Sequence, residues 1–273
     1  KLIDSSGTFF FLNYHGARSR GPFSAVSTVP NALERAGGFA NSIGNGPVTV
    51  YDPLTRTPFP ANTLPASRID PAAAGLLSFI PLPNQPSQVQ NYQFVTSVPQ
   101  NSDNFGLRLN HSLSARDRFS GSFNLQQRHA ENAQIFGYRD TTSGRGLSTN
   151  LSWTHTFHST VVNDLRFDFS RNRTELAPYF STGPDVAAAL GIQGTSPEPI
   201  NNGPPNLSFT NFGALTGGSP SLRRDQAAGV SEGVTLILGK HTVKTGFSYR
   251  RNQSNPRTDE NGRGSFSFSG LLT

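Results

Sequence analysis

"FGLRLNHSLSARDRFSGSFNL", residues 105–125, alternates apolar and polar side chains, breaks at a short charged turn and then alternates again. Phe105, Leu107, Leu109, Phe119, Phe123 and Leu125 fall on one face, and Arg108, Asn110, Ser122 and Asn124 on the other. Period-two alternation marks a strand whose two faces meet different media, and two such runs about a short turn predict an antiparallel hairpin.

The design recurs. In "LSTNLSWTHTF" (147–157), Leu147, Leu151, Trp153 and Phe157 oppose Ser148, Asn150, Ser152 and Thr154. After the turn "HST" (158–160), Leu165, Phe167 and Phe169 oppose Asp164, Arg166 and Asp168. In "GVTLILGKHTVKTGFSYR" (233–250), Val243, Phe247 and Tyr249 oppose Lys244, Ser248 and Arg250 after a Gly239-Lys240-His241 turn. Turns at 114–117, 158–160 and 239–241 are short, whereas the intervals 16–103, 129–144, 174–222 and 254–263 are long and rich in Pro, Gly, Asn and Ser. Short turns at one end of the strands and long loops at the other are the plan of a transmembrane β-barrel. Two loop segments carry helix signals: Asp70-Pro71 opens one that Pro81 closes, and Pro184-Asp185 opens another that ends at Gly191.

Composition agrees with strands rather than a globule. Only 34% of residues are hydrophobic, yet 21 are Phe against 6 Tyr and 1 Trp. In a barrel only alternate strand residues touch lipid, so low mean hydropathy is compatible with membrane insertion. No run reaches the ~20 apolar residues of a membrane helix. Absence of Cys excludes disulfides and thiolate chemistry within these residues. Net charge is +6, but the basic residues are dispersed, the densest being the pairs Arg223-Arg224 and Arg250-Arg251, so nucleic acid is not an expected partner. With Lys1 first and Met absent, the chain reads as a segment of a longer one.

A soluble β-sandwich would also alternate. Against it stand the strand length, the aromatic residues on the apolar faces, and charged or amide groups in mid-strand. The expected fold is therefore all-β: about eight long antiparallel strands, from residues 7–14 to 265–269, of a transmembrane barrel whose long extracellular loops hold short helices. The lipid-facing candidates are Phe105, Leu107, Leu109, Phe119, Phe123, Leu151, Trp153, Phe157, Leu165, Phe167, Phe247 and Tyr249. The lumen-facing candidates are Arg108, Asn110, Asn124, Asn150, Asp164, Arg166, Asp168, Lys244 and Arg250, with Asp164, Arg166 and Asp168 forming a charge network.

Five stretches in order, "GTFFFLNYHGAR" (7–18), "STVPNALERAGGF" (27–39), "VYDPLTRTPFPANTLPASRIDPAAAGLLSFIPLPN" (50–84), "DNFGLRLNHSLSARDRFSGSF" (103–123) and "GKHTVKTGFSYRR" (239–251), resemble the Oar-like TonB-dependent receptors. These outer-membrane proteins often carry an N-terminal carboxypeptidase-regulatory-like domain. The resemblance spans nearly the whole chain and implies a plugged barrel of about 22 strands in the cell outer membrane, energised through TonB. It further implies import of an extracellular substrate, such as a carbohydrate, siderophore or peptide. Residues 1–273 then form part of the barrel, with the plug and the last strands lying elsewhere; "SGLLT" (269–273) is no aromatic closing strand. The competing reading is a secreted β-sandwich for adhesion or carbohydrate binding.

No enzyme, cofactor or metal site is expected. His155 and His158 have an HxxH spacing but straddle a strand end, Gly239-Lys240-His241-Thr242 lacks the rest of a phosphate loop, and Asp259-Glu260-Asn261-Gly262 lacks the other ligands of a calcium loop. The sequons at Asn110, Asn150, Asn172 and Asn206 include two in mid-strand, where no glycan fits.

Overall fold

Each alternating run is a strand, and each is longer than its alternation. In a computed structural model, which describes residues 7–42 and 48–269, seven long strands form one antiparallel sheet: β1 (Thr8–Ser27), β2 (Tyr92–Ser112), β3 (Asp117–Ala133), β4 (Arg139–His158), β5 (Val161–Ala177), β7 (Ser221–Leu238) and β8 (His241–Thr258). Their order is β1-β2-β3-β4-β5-β7-β8, a meander in which each strand pairs with the next. Between β5 and β7 lies β6 (Asn206–Phe209), which pairs in parallel with β9 (Ser265–Phe268) in a separate two-stranded sheet.

Several expected boundaries are corrected. The loop placed at 16–103 is 28–91, because β1 and β2 stay paired from Thr8↔His111 to Ser27↔Tyr92. The loop placed at 174–222 is 178–220. The interval 129–144 is a five-residue turn, 134–138, closed by the Gln134 N–H donating 2.8 Å to the Tyr138 carbonyl and bent at Gly137, φ +88°. Strand β8 runs to Thr258, into the interval placed at 254–263. Residues 265–268 are not an eighth member of the large sheet but pair with β6; residues 270–273, most of the "SGLLT" segment, lie outside the described residues. The strands outrun their alternation because both faces turn polar toward the long-loop end. Alternation of hydropathy then vanishes while the ladder of backbone hydrogen bonds continues.

A core is found at the long-loop end, not on the sheet. Val29, Leu76, Ile80, Tyr92, Phe136, Leu207 and Leu215 form one buried cluster drawn from the loops 28–91, 134–138 and 178–220 together with the first residue of β2. The large hydrophobics of the strands stay exposed, among them Phe10, Leu12, Leu151 and Phe247. Short helices shape the cap. In α1 (Ala32–Arg35), the Asn31 side chain accepts from the Glu34 N–H while the Glu34 carboxylate accepts from the Asn31 N–H, a capping box. In α2 (Pro71–Leu77), Asp70 caps the Ala72 and Ala73 amides, and in α3 (Val186–Ala189) Asp185 caps Ala188. Arg35 fastens α1 to the end of α2 by donating to the carbonyls of Leu77, Ile80 and Pro81 at 2.7, 2.8 and 2.6 Å. Burial pushes its guanidinium below the usual arginine range.

Candidate functional site

Residues paired across an antiparallel sheet project to the same side, so the register sorts every side chain onto one of two faces. One row of pairs runs Phe10–Leu109–Gly121–Leu151–Phe167–Val230–Tyr249. The next toward the turns contains Phe119–Trp153–Leu165–Glu232–Phe247, and the next toward the loops begins Leu12–Leu107–Phe123. Phe105 pairs with Leu125 one row higher. Thus eleven of the twelve apolar candidates share one face by register. Phe157 sits at the bulge between Thr156 and His158, with its ring 4.4 Å from that of His155.

The apolar rows form a band. On β4 it spans Leu147 to Phe157, ten residue steps; at about 3.4 Å per residue and a tilt of about 40° that is about 26 Å of height, close to the ~25 Å apolar belt of outer-membrane barrels. The band runs obliquely to the register, with its upper edge at Tyr14, Phe105, Leu125 and Leu147 but two rows lower on β8, at Tyr249. Strands tilted to the membrane normal require such a slant. Near the short turns the band ends in an aromatic ladder: Phe119 stacks on Trp153 at 6.0 Å, and Trp153 lies 5.6 Å from His155. Their polar edges converge on one carboxylate, with Trp153 Nε1 donating 3.1 Å to Asp117 and His155 Nδ1 2.6 Å from it. Amphipathic rings anchored in this way suit a membrane–water boundary.

All nine polar candidates share the other face. The row Phe11–Arg108–Ser122–Asn150–Asp168–Gly229–Arg250 carries four of them. Asn110 and Arg166 stand one row below, Asp164 and Lys244 lower still, and Asn124 one row above. The expected network of Asp164, Arg166 and Asp168 is corrected. Asp168 takes Arg250 instead, at 3.7 Å, and Asp164 takes the Thr154 hydroxyl at 2.6 Å. The intervening residue leaves room for the exchange: Gly229 stands between Asp168 and Arg250 in the register without a side chain, and a Cβ there would sit 2.6 Å from Asp168 Oδ1.

Above this charged zone the polar face is lined with amides. Asn13, Asn104, Asn124, Gln126 and Asn172 surround a groove of about 310 Å³. Gly106 and Gly146 floor it, with Asn13 and Asn172 lying over them where a Cβ would stand. Of these amides only Asn124 was singled out in the sequence; the others were missed, although the signal was there: period two persists in Asn and Gln where the apolar residues have ended. Phe9 and Phe11 also project from the polar face of β1, so the run "FFFL" is aromatic on both sides.

The cap closes the loop end around a buried carboxylate. Asp140, 5% exposed, accepts from Gln134 Nε2 at 2.7 Å, Tyr179 N at 2.9 Å and Gly218 N at 2.8 Å, joining the 134–138 turn to both ends of the 178–220 loop. Arg263, equally buried, donates to the Gly218 carbonyl; burial lowers its pKa, and the charge of Asp140 opposes that shift. Asp259, in the segment weighed as a calcium loop, accepts instead from Arg257 and from Asn201 Nδ2.

The soluble sandwich requires a second sheet over the apolar face. Among the described residues the only other sheet is the β6–β9 pair, made of loop residues. No curated protein and no solved structure matches the chain. A family described as the outer membrane beta barrel domain matches residues 5–273. With its apolar band, polar opposite face, short turns and long loops, the chain belongs to the outer membrane β-barrel domain family, and its place is the outer membrane.

Proposed function

We propose that the chain is wall and rim of a TonB-dependent, Oar-like receptor that imports a polar substrate across the outer membrane. The apolar band faces lipid, the face bearing Arg108, Asn124, Asn150 and Asp168 lines the lumen, and the capped end is extracellular. The observation that carries the reading is the polar face itself. It is charged at mid-membrane height and amide-rich above, while Gly106, Gly144, Gly146, Gly229, Gly233 and Gly246 lie among its polar residues. Curling a sheet crowds side chains on its inner surface, and glycines relieve that crowding. A lumen lined by amides rather than one sign of charge favours hydrogen-bonding solutes such as oligosaccharides or peptides. Import then depends on the energising complex of the inner membrane, acting through a plug. This role needs no catalytic residue or cofactor.

Two measurements test it. Cysteines placed at Asn150 and Asn124 should react with a membrane-impermeant thiol reagent, while one at Leu151 should be protected. Deleting the gene and deleting TonB should abolish uptake of the same solute; uptake that survives loss of TonB refutes the energised-transport reading.

A further inference from the structure

Just above the apolar band, on the same outward face, the register aligns three arginines side by side: Arg145 on β4 pairs with Arg173 on β5, which pairs with Arg224 on β7. Neighbouring strands lie about 4.8 Å apart, so three guanidinium stems leave the sheet within about 10 Å. Like charges set directly opposite destabilise a sheet. The row below adds Arg171, paired with Leu147, and the row below that adds Arg251, paired with Ala228. Among the described residues no carboxylate lies within 4 Å of Arg145, Arg171, Arg224 or Arg251; Arg173 alone has one, Glu175 at 2.7 Å. Arg145, Arg171, Arg224 and Arg251 are exposed.

Some arginines on the chain are matched from within, as Arg18 is by Asp103 and Arg250 by Asp168. Others, such as Arg108, Arg128 and Arg166, have no carboxylate within 4 Å among the described residues, but each of these pairs with small or apolar residues and not with a second arginine. Three guanidinium groups side by side with one carboxylate among them, Glu175 on Arg173, therefore call for an anion from outside. Guanidinium forks bind phosphate bidentately and are less strongly hydrated than ammonium, which suits a site at the edge of hydrocarbon. Arg171 and Arg251 lie within or at the edge of the band, where their stems can cover apolar surface while their heads rise to the same level.

We infer that Arg145, Arg173 and Arg224, supported by Arg171 and Arg251, form a belt that binds the phosphate groups of outer-leaflet lipid headgroups. The inference rests on the reading that the apolar band faces lipid and the capped end is extracellular. The belt is continuous with the lipid-facing band and tops it on β4, β5 and β7, so its ligand is membrane-anchored. Its effect would be to seat the barrel at a fixed depth and rotation among phosphorylated lipids.

The test uses the intact barrel, purified from outer membranes and exchanged into zwitterionic detergent, with binding of bisphosphorylated lipid A and of its phosphate-free counterpart measured by native mass spectrometry. The bisphosphorylated form should bind at least tenfold tighter. The triple variant R145Q/R173Q/R224Q should lose that preference, and the triple lysine variant should keep part of it. Millimolar inorganic phosphate should not displace the lipid; full displacement would show a free-anion site and overturn the assignment, as would equal binding of both lipids. Should the triple variant fail to fold, judged by heat-modifiable gel mobility, the singles R145Q and R224Q must each weaken binding severalfold. Arg128, at similar height on the polar face, serves as control. If R128Q weakens lipid binding and the triple does not, the two faces are reversed and the proposed orientation fails. If neither variant changes binding, the arginine belt alone is refuted.

Discussion

Replacing Leu151 by Arg is the most direct probe of which face meets hydrocarbon. Leu151 lies four residue steps below Leu147, the upper edge of the band on β4, and six above Phe157 at its lower edge. With about 2.6 Å of height per tilted residue, it sits about 10 Å beneath the upper boundary, near the middle of the membrane. It pairs with Gly121 and Phe167, so no acidic partner faces it directly across either strand. An arginine at such depth costs about 2–4 kcal/mol, whereas Leu147→Arg, at the boundary, should cost about 0–1 kcal/mol. Asn150 is the sequence neighbour on the opposite face and is exposed, so Asn150→Ala should stay within about 0.5 kcal/mol. Reversible urea unfolding of the intact barrel in thin phosphatidylcholine vesicles reads these differences, with Trp153 of this chain as an internal reporter. The expected ordering of folding constants is wild type close to N150A, then L147R, with L151R lower than wild type by a factor of about 30 to 1,000. Equal costs for Leu151→Arg and Asn150→Ala would refute the assignment of faces. A flat profile between Leu147 and Leu151 would refute the placement of the band.

The cap offers further tests. Phe136 is buried in the loop core with its ring 6.0 Å from that of Tyr92, so Phe136→Ala should lower cap stability by about 3–5 kcal/mol and speed tryptic cleavage near Arg35 and Arg68 without changing barrel mobility on gels. Asp140→Ala would strand three part-buried donors; we expect about 1–3 kcal/mol of lost cap stability and faster exchange at the Tyr179 and Gly218 amides. Asp52 accepts from the Leu54 amide and pairs with Arg68 at 3.0 Å, and its pKa is lowered below the usual 3.8, chiefly by that amide. The stabilisation is therefore complete above the unfolded carboxyl's pKa and lost as pH falls through the lower folded value. Protection of the Leu54 amide should drop below about pH 4 in the wild type and be weak at all pH in Asp52→Asn.

How much of this was legible in the sequence depended on what each segment faces. Between Phe105 and Leu125, apolar residues on one side and polar groups on the other make a strict alternation, and the register sets all nine polar candidates on one face. Where β1 and β2 pass above the band, as at Ser19↔Gln100 and Gly21↔Val98, neither face needs apolar side chains. A run such as "PQNSDN" (99–104) then reads as loop although it is paired throughout. The turn 134–138 was hidden for the opposite reason: Ile135, Phe136 and Tyr138 are apolar because they pack into the cap, not because they continue a strand. Asp168's partner could not be read from spacing, since it depends on Gly229 standing between two strands distant in sequence. The helix caps at Asp70 and Asp185 were visible because they are local; the capping box Asn31–Glu34 was equally local and was passed over.

The position of the core explains the composition of the chain. In the orientation proposed above, a strand with lipid on one face and a lumen on the other has no interior of its own, so its Phe and Leu residues do not stabilise it by burial against protein. What holds the sheet is the unbroken hydrogen-bond ladder, which in hydrocarbon cannot be exchanged for bonds to water. Beyond the membrane that enforcement ends. There the loops bury Val29, Ile80, Leu207 and Leu215 in ordinary protein fashion, with the Arg35 guanidinium tying together the β1–β2 connection and the Asp140 carboxylate joining the β3–β4 and β5–β7 connections. The barrel thus changes its stabilising principle at the membrane boundary, and the cap is free to vary without endangering the wall. A substitution in the cap core should loosen the rim and alter recognition while the strands remain inserted; a polar substitution in the band should do the reverse.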